Sequence, residues 1–198
     1  AQSRLDQDYG MAFQQAGLFD WRSVAKNIEL PLELKGWDTE KRAARAKEML
    51  ELVKLPEFAD LMPWQLSGGM QQRVALARCL ANEPDVILMD EPLGALDALT
   101  REKMQSLVLD LWKETGKTII LITHSVEEAL LLGERLLVMA PRPGRVHKEY
   151  RLPFAEMGVG ADLRAVKKHP DYAKTREEIL AMIWEMEEEI MGRSEERA

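Results

Sequence analysis

The sequence is poor in several features that mark particular classes of protein. It holds one cysteine, Cys79, in 198 residues, which excludes an internal disulfide and suits a reducing compartment. Cys79 stands among apolar residues at helical spacing, and this favours a packed thiol over a reactive one. No apolar run approaches the ~20 residues that a helix needs to cross a bilayer. The sequence therefore predicts neither a disulfide framework nor a membrane span.

Basic residues are also fewer than acidic ones. The chain has 27 Lys and Arg against 34 Asp and Glu, for a formal net charge of −7. A nucleic-acid-binding face needs a dense basic patch, so the composition argues against nucleic acid as the main partner, although a locally basic site stays open. The apolar fraction of 46% is sufficient for a sizeable core. The length fits one domain, or one domain with an appendage, at roughly 100–200 residues per domain.

The glycine-rich phosphate loop G-x-x-x-x-G-K-[ST] is absent from the sequence, although another stretch indicates phosphate chemistry. The run LSGGMQQR, from Leu66 to Arg73, predicts a helix that begins after Ser67, and such a start presents free backbone N–H groups to an anion. Because Gly68 and Gly69 have no Cβ, an anion can approach their backbone closely. A bare Ser-Gly-Gly is usually an ordinary loop and helix cap, but the full eight-residue run is far more specific.

A second stretch carries two adjacent carboxylates. The run VILMDEP, from Val86 to Pro92, predicts a buried strand that ends at Asp90 and Glu91, where open α/β sheets bind their ligands. Phosphoryl transfer needs Mg²⁺ beside the phosphates and a base that orients the attacking water. We expect Asp90 to help hold Mg²⁺ and Glu91 to polarise the nucleophile. The alternative is an acidic strand end that only caps the following turn.

Strand patterns alternate with helical ones after residue 82, which predicts a parallel sheet covered on both faces. The expected fold class is α/β, a mostly parallel sheet with an inserted α-helical subdomain and a C-terminal helical tail. The apolar run Thr118–Thr123 is typical of a strand buried on both faces. The predicted domains are a core of residues 1–17 and 82–150, a helical subdomain of residues 18–81, and a helical extension of residues 151–198.

Five segments together resemble an ABC ATPase in their order and spacing. They are Gln14, Leu66–Arg73, Val86–Pro92, Leu93–Asp97 and Thr123-His124, which correspond to the Q-loop, the signature, Walker B, the D-loop and the switch histidine. The likeness covers roughly residues 9–150 and implies a partial P-loop NTPase with a RecA-like core. The strings FQQ at 13–15 and DEPLGALD at 90–97 look like the importer branch for nitrate, taurine and aliphatic sulfonates.

The resemblance implies ATP and Mg²⁺ as the cofactors of this chain's own site. Asp90 and Gln14 would bind Mg²⁺, and Gln14 would also couple the nucleotide state to a permease. Glu91 and His124 would be the catalytic residues, with His124 contacting the γ-phosphate. A lone histidine after a strand is more often structural, but the register with the other motifs favours the catalytic interpretation.

The resemblance also implies residues that act across a head-to-tail homodimer. Ser67, Gly68, Gly69 and Gln71 of the signature would bind the ATP held by the opposite subunit. Asp97 of the D-loop would contact the partner across the same interface. The signature would therefore complete a site in another copy of the chain.

The implied partners are transmembrane permease subunits, with a substrate-binding protein acting through them. The subunit would then be cytoplasmic and peripheral on the inner face of the cell membrane. The aromatic loop from Phe19 to Trp21 is equally consistent with docking to the permease and with core packing. The C-terminal apolar stripe with Trp184 predicts an amphipathic helix packed on the domain, with a regulatory or dimer-forming role as the alternative.

Because the phosphate loop and its lysine would precede Ala1, we expect the chain to be a fragment that hydrolyses ATP negligibly by itself. Two other functions stay open. One is a non-transport ABC ATPase, against which the short helical insertion argues. The other is a naturally truncated, non-catalytic interaction protein, which a start codon just before Ala1 would favour.

Overall fold

The computed structural model describes residues 9–195. This part of the chain divides into two compact units, one ending at Thr123 and the other beginning at His124. They are called the first and the second unit. The predicted grouping of residues 82–150 with residues 1–17 stays a prediction.

The first unit is built on a three-stranded parallel sheet. Its strands are β1 (Tyr9–Phe13), β2 (Val86–Asp90) and β3 (Thr118–Ile122), in the order β1-β2-β3. The register pairs Phe13 with Asp90 and Asp90 with Ile122, so all three strands end level with one another. Residues that follow the strands are therefore delivered to one edge of the sheet, as the sequence predicted for Asp90 and Glu91.

Helices in the first unit begin after polar capping residues, and the start that the sequence predicted after Ser67 is confirmed. They are α1 (Val24–Leu34), α2 (Thr39–Leu52), α3 (Gly68–Ala81) and α4 (Ala98–Thr115), with short 3₁₀ turns at Pro56–Phe58 and Pro63–Gln65. The side chains of Asp38, Ser67 and Asp97 each accept a backbone N–H from the first turn of α2, α3 and α4. At the end of α4, Gly116 adopts the left-handed conformation, with φ +62°, that favours glycine after a helix.

Helix α3 is central to the first unit, since it packs on β1, α1, α2 and α4. Val74 and Ala77 of this helix are fully buried, and Ile87 and Met89 of β2 are almost so. A small apolar cavity lies between β1, β2, α3 and α4, lined among others by Ala12 and Leu76. Helices α3 and α4 therefore pack on the same face of the sheet, and the core of the first unit lies between them and that face.

The expected burial of β3 on both faces was wrong. Ile120 and Ile122 are 50% and 60% exposed, and Met11 and Phe13 of β1 are exposed on alternate positions. Side chains alternate between the faces of a strand, and in residues 9–123 the opposite face carries the packed helices. A β-branched apolar run predicts a strand correctly, but it contains no information on what covers each face.

The second unit contains an antiparallel hairpin and several helices. Its elements are α5 (Val126–Leu132), β4 (Arg135–Ala140), β5 (Arg145–Arg151), α6 (Phe154–Gly158), α7 (Leu163–Lys167) and α8 (Pro170–Glu195). Strands β4 and β5 pair only with each other among the described residues, with an irregularity between Val138 and Met139. A turn at residues 141–144 joins the two strands, and β5 returns antiparallel to β4.

Helix α8 packs on the second unit through its N-terminal half, as the amphipathic pattern predicted. Phe154 is almost fully buried and meets the ring of Tyr172 edge-on at 5.1 Å between centroids. Ile179 is also buried, whereas Trp184 is 58% exposed. Among the helices of residues 9–195, none combines the length and the apolar composition that crossing a membrane requires.

Candidate functional site

The ends of β1 and β2 bring two predicted site residues together around a glycine. Gln14 follows β1, and Glu91 follows β2. A Cβ added to Gly94 would lie 3.2 Å from Nε2 of Gln14 and 3.8 Å from Oε2 of Glu91. The amide and the carboxylate therefore flank the same glycine, and Asp90 ends the strand beside them.

The backbone of Glu91 adopts a left-handed conformation, with φ +46°. A non-glycine residue with positive φ is uncommon and costs free energy, so the surrounding structure must hold it in place. Its N–H donates a 2.8 Å hydrogen bond to the carbonyl of Ile122, which extends the pairing with β3 by one residue. The chain then turns away from the sheet, and the Glu91 side chain stays at its edge.

The signature segment forms the start of α3, with its two glycines in different surroundings. The Ser67 hydroxyl accepts the Met70 N–H at 3.3 Å. Gly68 is exposed and a Cβ there would meet nothing within 4 Å, but Gly69 is buried and its added Cβ would collide with the methyl group of Thr100. The Gln71 amide is directed inward, since it donates to carbonyls of the preceding loop.

Two residues of α3 that sequence reasoning missed tie this helix to the Q-loop. Gln72 is 4% exposed and donates a 2.6 Å hydrogen bond to the carbonyl of Phe13. The Arg78 guanidinium donates to the carbonyls of Ala16 and Gly17, both at 2.9 Å, and burial lowers the pKa of Arg78. The available signal for Gln72 was its spacing: it stands four positions before the apolar Leu76, on the same face of the helix.

The D-loop is fixed by the residues that follow it. Asp97 caps α4 by accepting the N–H groups of Leu99 and Thr100 at 3.1 and 3.0 Å. The hydroxyl of Thr100, then the backbone N–H groups, lower the pKa of the Asp97 carboxyl. Arg101 donates to the carbonyls of Leu93 and Leu96 at 3.3 and 2.7 Å. The loop between β2 and α4 is therefore hydrogen-bonded to the first turn of α4.

An open pocket of about 370 Å³ joins these segments in the first unit. Its lining includes Gln14, Gly17, Gly68, Gln71 and Leu96. Segments of the Q-loop, the signature and the D-loop thus border one cleft in the first unit. His124 is exposed and opens the second unit, where Ser125 caps α5 by accepting the Glu128 N–H at 3.3 Å.

The chemistry at the sheet edge suits Mg²⁺ bound mainly through a nucleotide. No group of three or more His, Cys, Asp or Glu side chains that could hold a metal occurs among residues 9–195. Mg²⁺ in phosphoryl-transfer sites is usually held by one or two carboxylates, water and the substrate phosphates. Asp90 and the neighbouring amide of Gln14 supply oxygen ligands of this kind, so the residues present fit the ion.

The aromatic loop after the Q-loop is fixed at its base and exposed at its tip. Asn27 is fully buried; its Oδ1 accepts the Phe19 N–H at 2.7 Å, and its amide donates to three loop carbonyls, of Phe19, Arg22 and Ser23. The ring of Trp21 packs against Phe19 at 4.9 Å between centroids, but Trp21 is 74% exposed. Core packing therefore does not explain Trp21.

Known proteins resemble the chain both in sequence and in fold. Residues 1–94 match the family described as ABC transporter. The taurine import ATP-binding protein TauB of Jannaschia sp. (strain CCS1) is 70% identical over 189 residues, which cover 96% of this chain and 70% of that protein. TauB of Pelagibacter ubique (strain HTCC1062) is 70% identical over 93% of this chain and 69% of its own length.

Among solved structures, the dimeric ATP-binding cassette MJ0796 bound to ADP and Pi matches with a TM-score of 0.61 and 42% identity. The match covers 73% of this chain and 62% of the cassette. The chain therefore spans less than two thirds of the solved cassette and about 70% of the curated relatives. The likeness to solved ABC cassettes confirms the α/β fold class, and the TauB relatives agree with the importer branch. This chain belongs to the ABC transporter family, as an ATP-binding subunit of the type that couples ATP hydrolysis to transport.

Proposed function

We propose that this chain is the ATPase subunit of a taurine importer. The observation that carries the proposal is the juxtaposition of Gln14 and Glu91 around Gly94, beside Asp90 at the end of β2. The substrate is supported by the identity to proteins named for taurine import. Nitrate and aliphatic sulfonate importers are the neighbouring alternatives, because selectivity in such systems resides in the binding protein and the permease.

In this proposal, the edge of the parallel sheet activates water for attack on the γ-phosphate. Glu91 accepts a hydrogen bond from the water and polarises it, which general-base residues do with a rate effect of about 10²–10⁴. Asp90 and Gln14 would hold Mg²⁺, which neutralises charge on the phosphates when it is bound. The positive φ of Glu91 sets the direction in which its side chain leaves the backbone. This backbone conformation would pre-organise the carboxylate as the base.

Other predicted residues, which stand elsewhere in the sequence, also bind phosphate in this proposal. His124 contacts the γ-phosphate and stabilises its transition state. Gly68 and Ser67, at the exposed start of α3, bind ATP held by the partner of a head-to-tail homodimer, and Asp97 contacts that partner. The exposed surface at Gly68 supports this assignment.

We further propose that the chain docks on a transmembrane permease at the cytoplasmic side, with a substrate-binding protein acting through the permease. The exposed Trp21, held at a loop that Asn27 fixes, supports a docking surface beside the Q-loop. Gln14 would carry the nucleotide state to that surface, since the loop continues directly from it.

The chain by itself is proposed to bind and hydrolyse ATP poorly, because the sequence holds no phosphate loop to cradle the β- and γ-phosphates. This is tested by comparing the 198-residue chain with a completed protein. The completed protein is defined as this chain extended before Ala1 by the phosphate-loop segment of a TauB relative. We expect ATP binding and turnover in the completed protein only, and tight ATP binding by the 198-residue chain would overturn the proposal.

In the completed protein, Glu91→Gln should abolish turnover and preserve ATP-dependent dimerisation. The matched control is Glu114→Gln, an exposed carboxylate near the end of α4, which should leave the rate unchanged. Retained turnover in Glu91→Gln would contradict the base assignment.

For the substrate, the completed protein should restore growth on taurine, but not on nitrate, in strains lacking the corresponding ATPase subunit.

A further inference from the structure

We propose that Thr100 is a positioning residue that locks the signature to the D-loop through Gly69. In this inference, which rests on the proposed function, Gly69 is a glycine because it packs against Thr100 within the same chain.

The two signature glycines differ in what surrounds them. A Cβ at Gly69 would collide with Cγ2 of Thr100 and lie 3.8 Å from Cβ of the same residue and 4.0 Å from Cδ2 of Leu96. Gly69 is buried, whereas Gly68 is exposed with open space around it. Packing within the subunit therefore explains why residue 69 is a glycine, without reference to a ligand.

Thr100 contacts the two segments with different parts of its side chain. Its methyl group faces Gly69, and its hydroxyl lowers the pKa of the Asp97 carboxyl. The backbone N–H of Thr100 also donates to that carboxylate at 3.0 Å. Threonine, with one methyl and one hydroxyl on the same carbon, therefore reaches both segments at once.

The contact has a mechanical consequence. The start of α3 cannot move toward the D-loop because the Gly69 backbone already lies against Thr100, and the D-loop is held by Asp97 and Arg101. Tightly packed contacts of this kind transmit displacement because they are not compressible. Signature and D-loop would thus approach a partner subunit as one rigid piece.

The experiment is a bump-and-hole pair. Gly69→Ala adds the methyl that collides, and Thr100→Ser removes the methyl it collides with but keeps the hydroxyl. In the completed protein, we expect Gly69→Ala to lower kcat by about tenfold or more with KM for ATP within about twofold, on the scale of an overpacked contact. The double variant should recover to within about threefold of Thr100→Ser alone.

Two further variants separate packing from ligand contact. Gly68→Ala, which meets nothing inside the chain, should lose activity without any rescue by Thr100→Ser. Thr100→Val keeps the methyl and loses the hydroxyl, so it should speed hydrogen exchange at the Leu99 and Thr100 amides that Asp97 holds. A double variant Gly69→Ala/Thr100→Ser that stays as inactive as Gly69→Ala would overturn the inference.

The outcome remains interpretable if the proposed function fails. The thermal unfolding midpoint and amide exchange of the 198-residue chain report the Gly69–Thr100 contact without ATP or a partner. We expect Gly69→Ala to lower the midpoint and to speed exchange at the Leu99 and Thr100 amides, and the double variant to reverse both changes. Loss of activity in every completed protein, with this rescue intact, would refute the proposed function alone, whereas absent rescue would refute the inference.

Discussion

The side-chain amide of Gln72 donates a 2.6 Å hydrogen bond to the carbonyl of Phe13, 59 residues earlier in the sequence. Phe13 ends β1, and Gln14 follows it. The bond therefore fixes the origin of the Q-loop to the helix that begins with the signature. Arg78, on the same helix, holds the next part of that loop.

Replacing Gln72 by Met should destabilise the first unit. Methionine has a similar volume but leaves the Phe13 carbonyl without its donor, and an unsatisfied buried polar group costs about 1–3 kcal/mol. We expect the free energy of unfolding in urea to fall by that amount. Gln15→Met, at an exposed position, is the control and should change it by less than about 0.5 kcal/mol. Equal effects of the two variants would show that the bond contributes nothing.

Arg78→Lys should loosen the Q-loop although it preserves the charge. The guanidinium reaches two successive carbonyls with separate N–H groups, whereas an ammonium group is a compact point charge that does not reproduce this fork. We expect faster proteolysis within residues 14–20 and a loss of about 1–3 kcal/mol in the free energy of unfolding. Arg145→Lys, at an exposed position where β5 begins, is the matched substitution and should leave both measurements unchanged. Protection of the loop in Arg78→Lys would contradict this role.

Asp97 should make the first unit sensitive to acid. The Thr100 hydroxyl and the capped N–H groups lower the pKa of Asp97 below its ordinary 3.8, so the carboxylate stabilises the fold above that value. This contribution is lost as the pH falls through the lower folded pKa. Asn at a helix N-terminus caps about as well and does not titrate. Between pH 5 and 2, the unfolding midpoint of the unmodified chain should therefore fall more steeply than that of Asp97→Asn, and parallel curves would exclude the linkage.

The sequence predicted local features of the fold better than it predicted which strand faces are covered by other elements. Capping residues such as Asp38 and Ser67, and the antiparallel return after the turn at 141–144, were predictable because they depend on neighbours in sequence. The exposure of Ile120 was not, since an apolar run says nothing about which face is covered. Secondary structure is specified locally, but burial is a property of the whole packing arrangement.

The same distinction applies to the candidate site. Asp90 and Glu91 could be placed at a strand end because an apolar run precedes them. Gln72 and Thr100 were missed, since Gln72 contacts Phe13 across 59 positions and Thr100 contacts Gly69 across 31, and no spacing rule encodes such contacts. Their identities become understandable only when α3 is packed on β1 and beside α4.

Cys79 should make the first unit sensitive to alkali. Burial raises the pKa of its thiol from about 9 in the unfolded chain to about 12, and its sulfur packs so closely on Gly10 that a Cβ there would collide with it. The folded state therefore keeps the proton while the unfolded state loses it. The neutral thiol's contribution to stability is complete below pH 9 and declines as the pH rises toward 12, by at most about 1.4 kcal/mol per pH unit.

The test for Cys79 compares urea unfolding of the unmodified chain and Cys79→Ser between pH 8 and 10.5. Serine does not titrate in this range, so only the unmodified chain should lose stability through residue 79. Burial also raises the pKa of Tyr172 to about 12, but this residue is present in both proteins and cancels in the difference. We also expect the folded chain to resist iodoacetamide at pH 8 until urea unfolds it, because the thiolate is the reactive form. Rapid alkylation without urea, or a pH-independent difference between the two proteins, would contradict a buried neutral thiol.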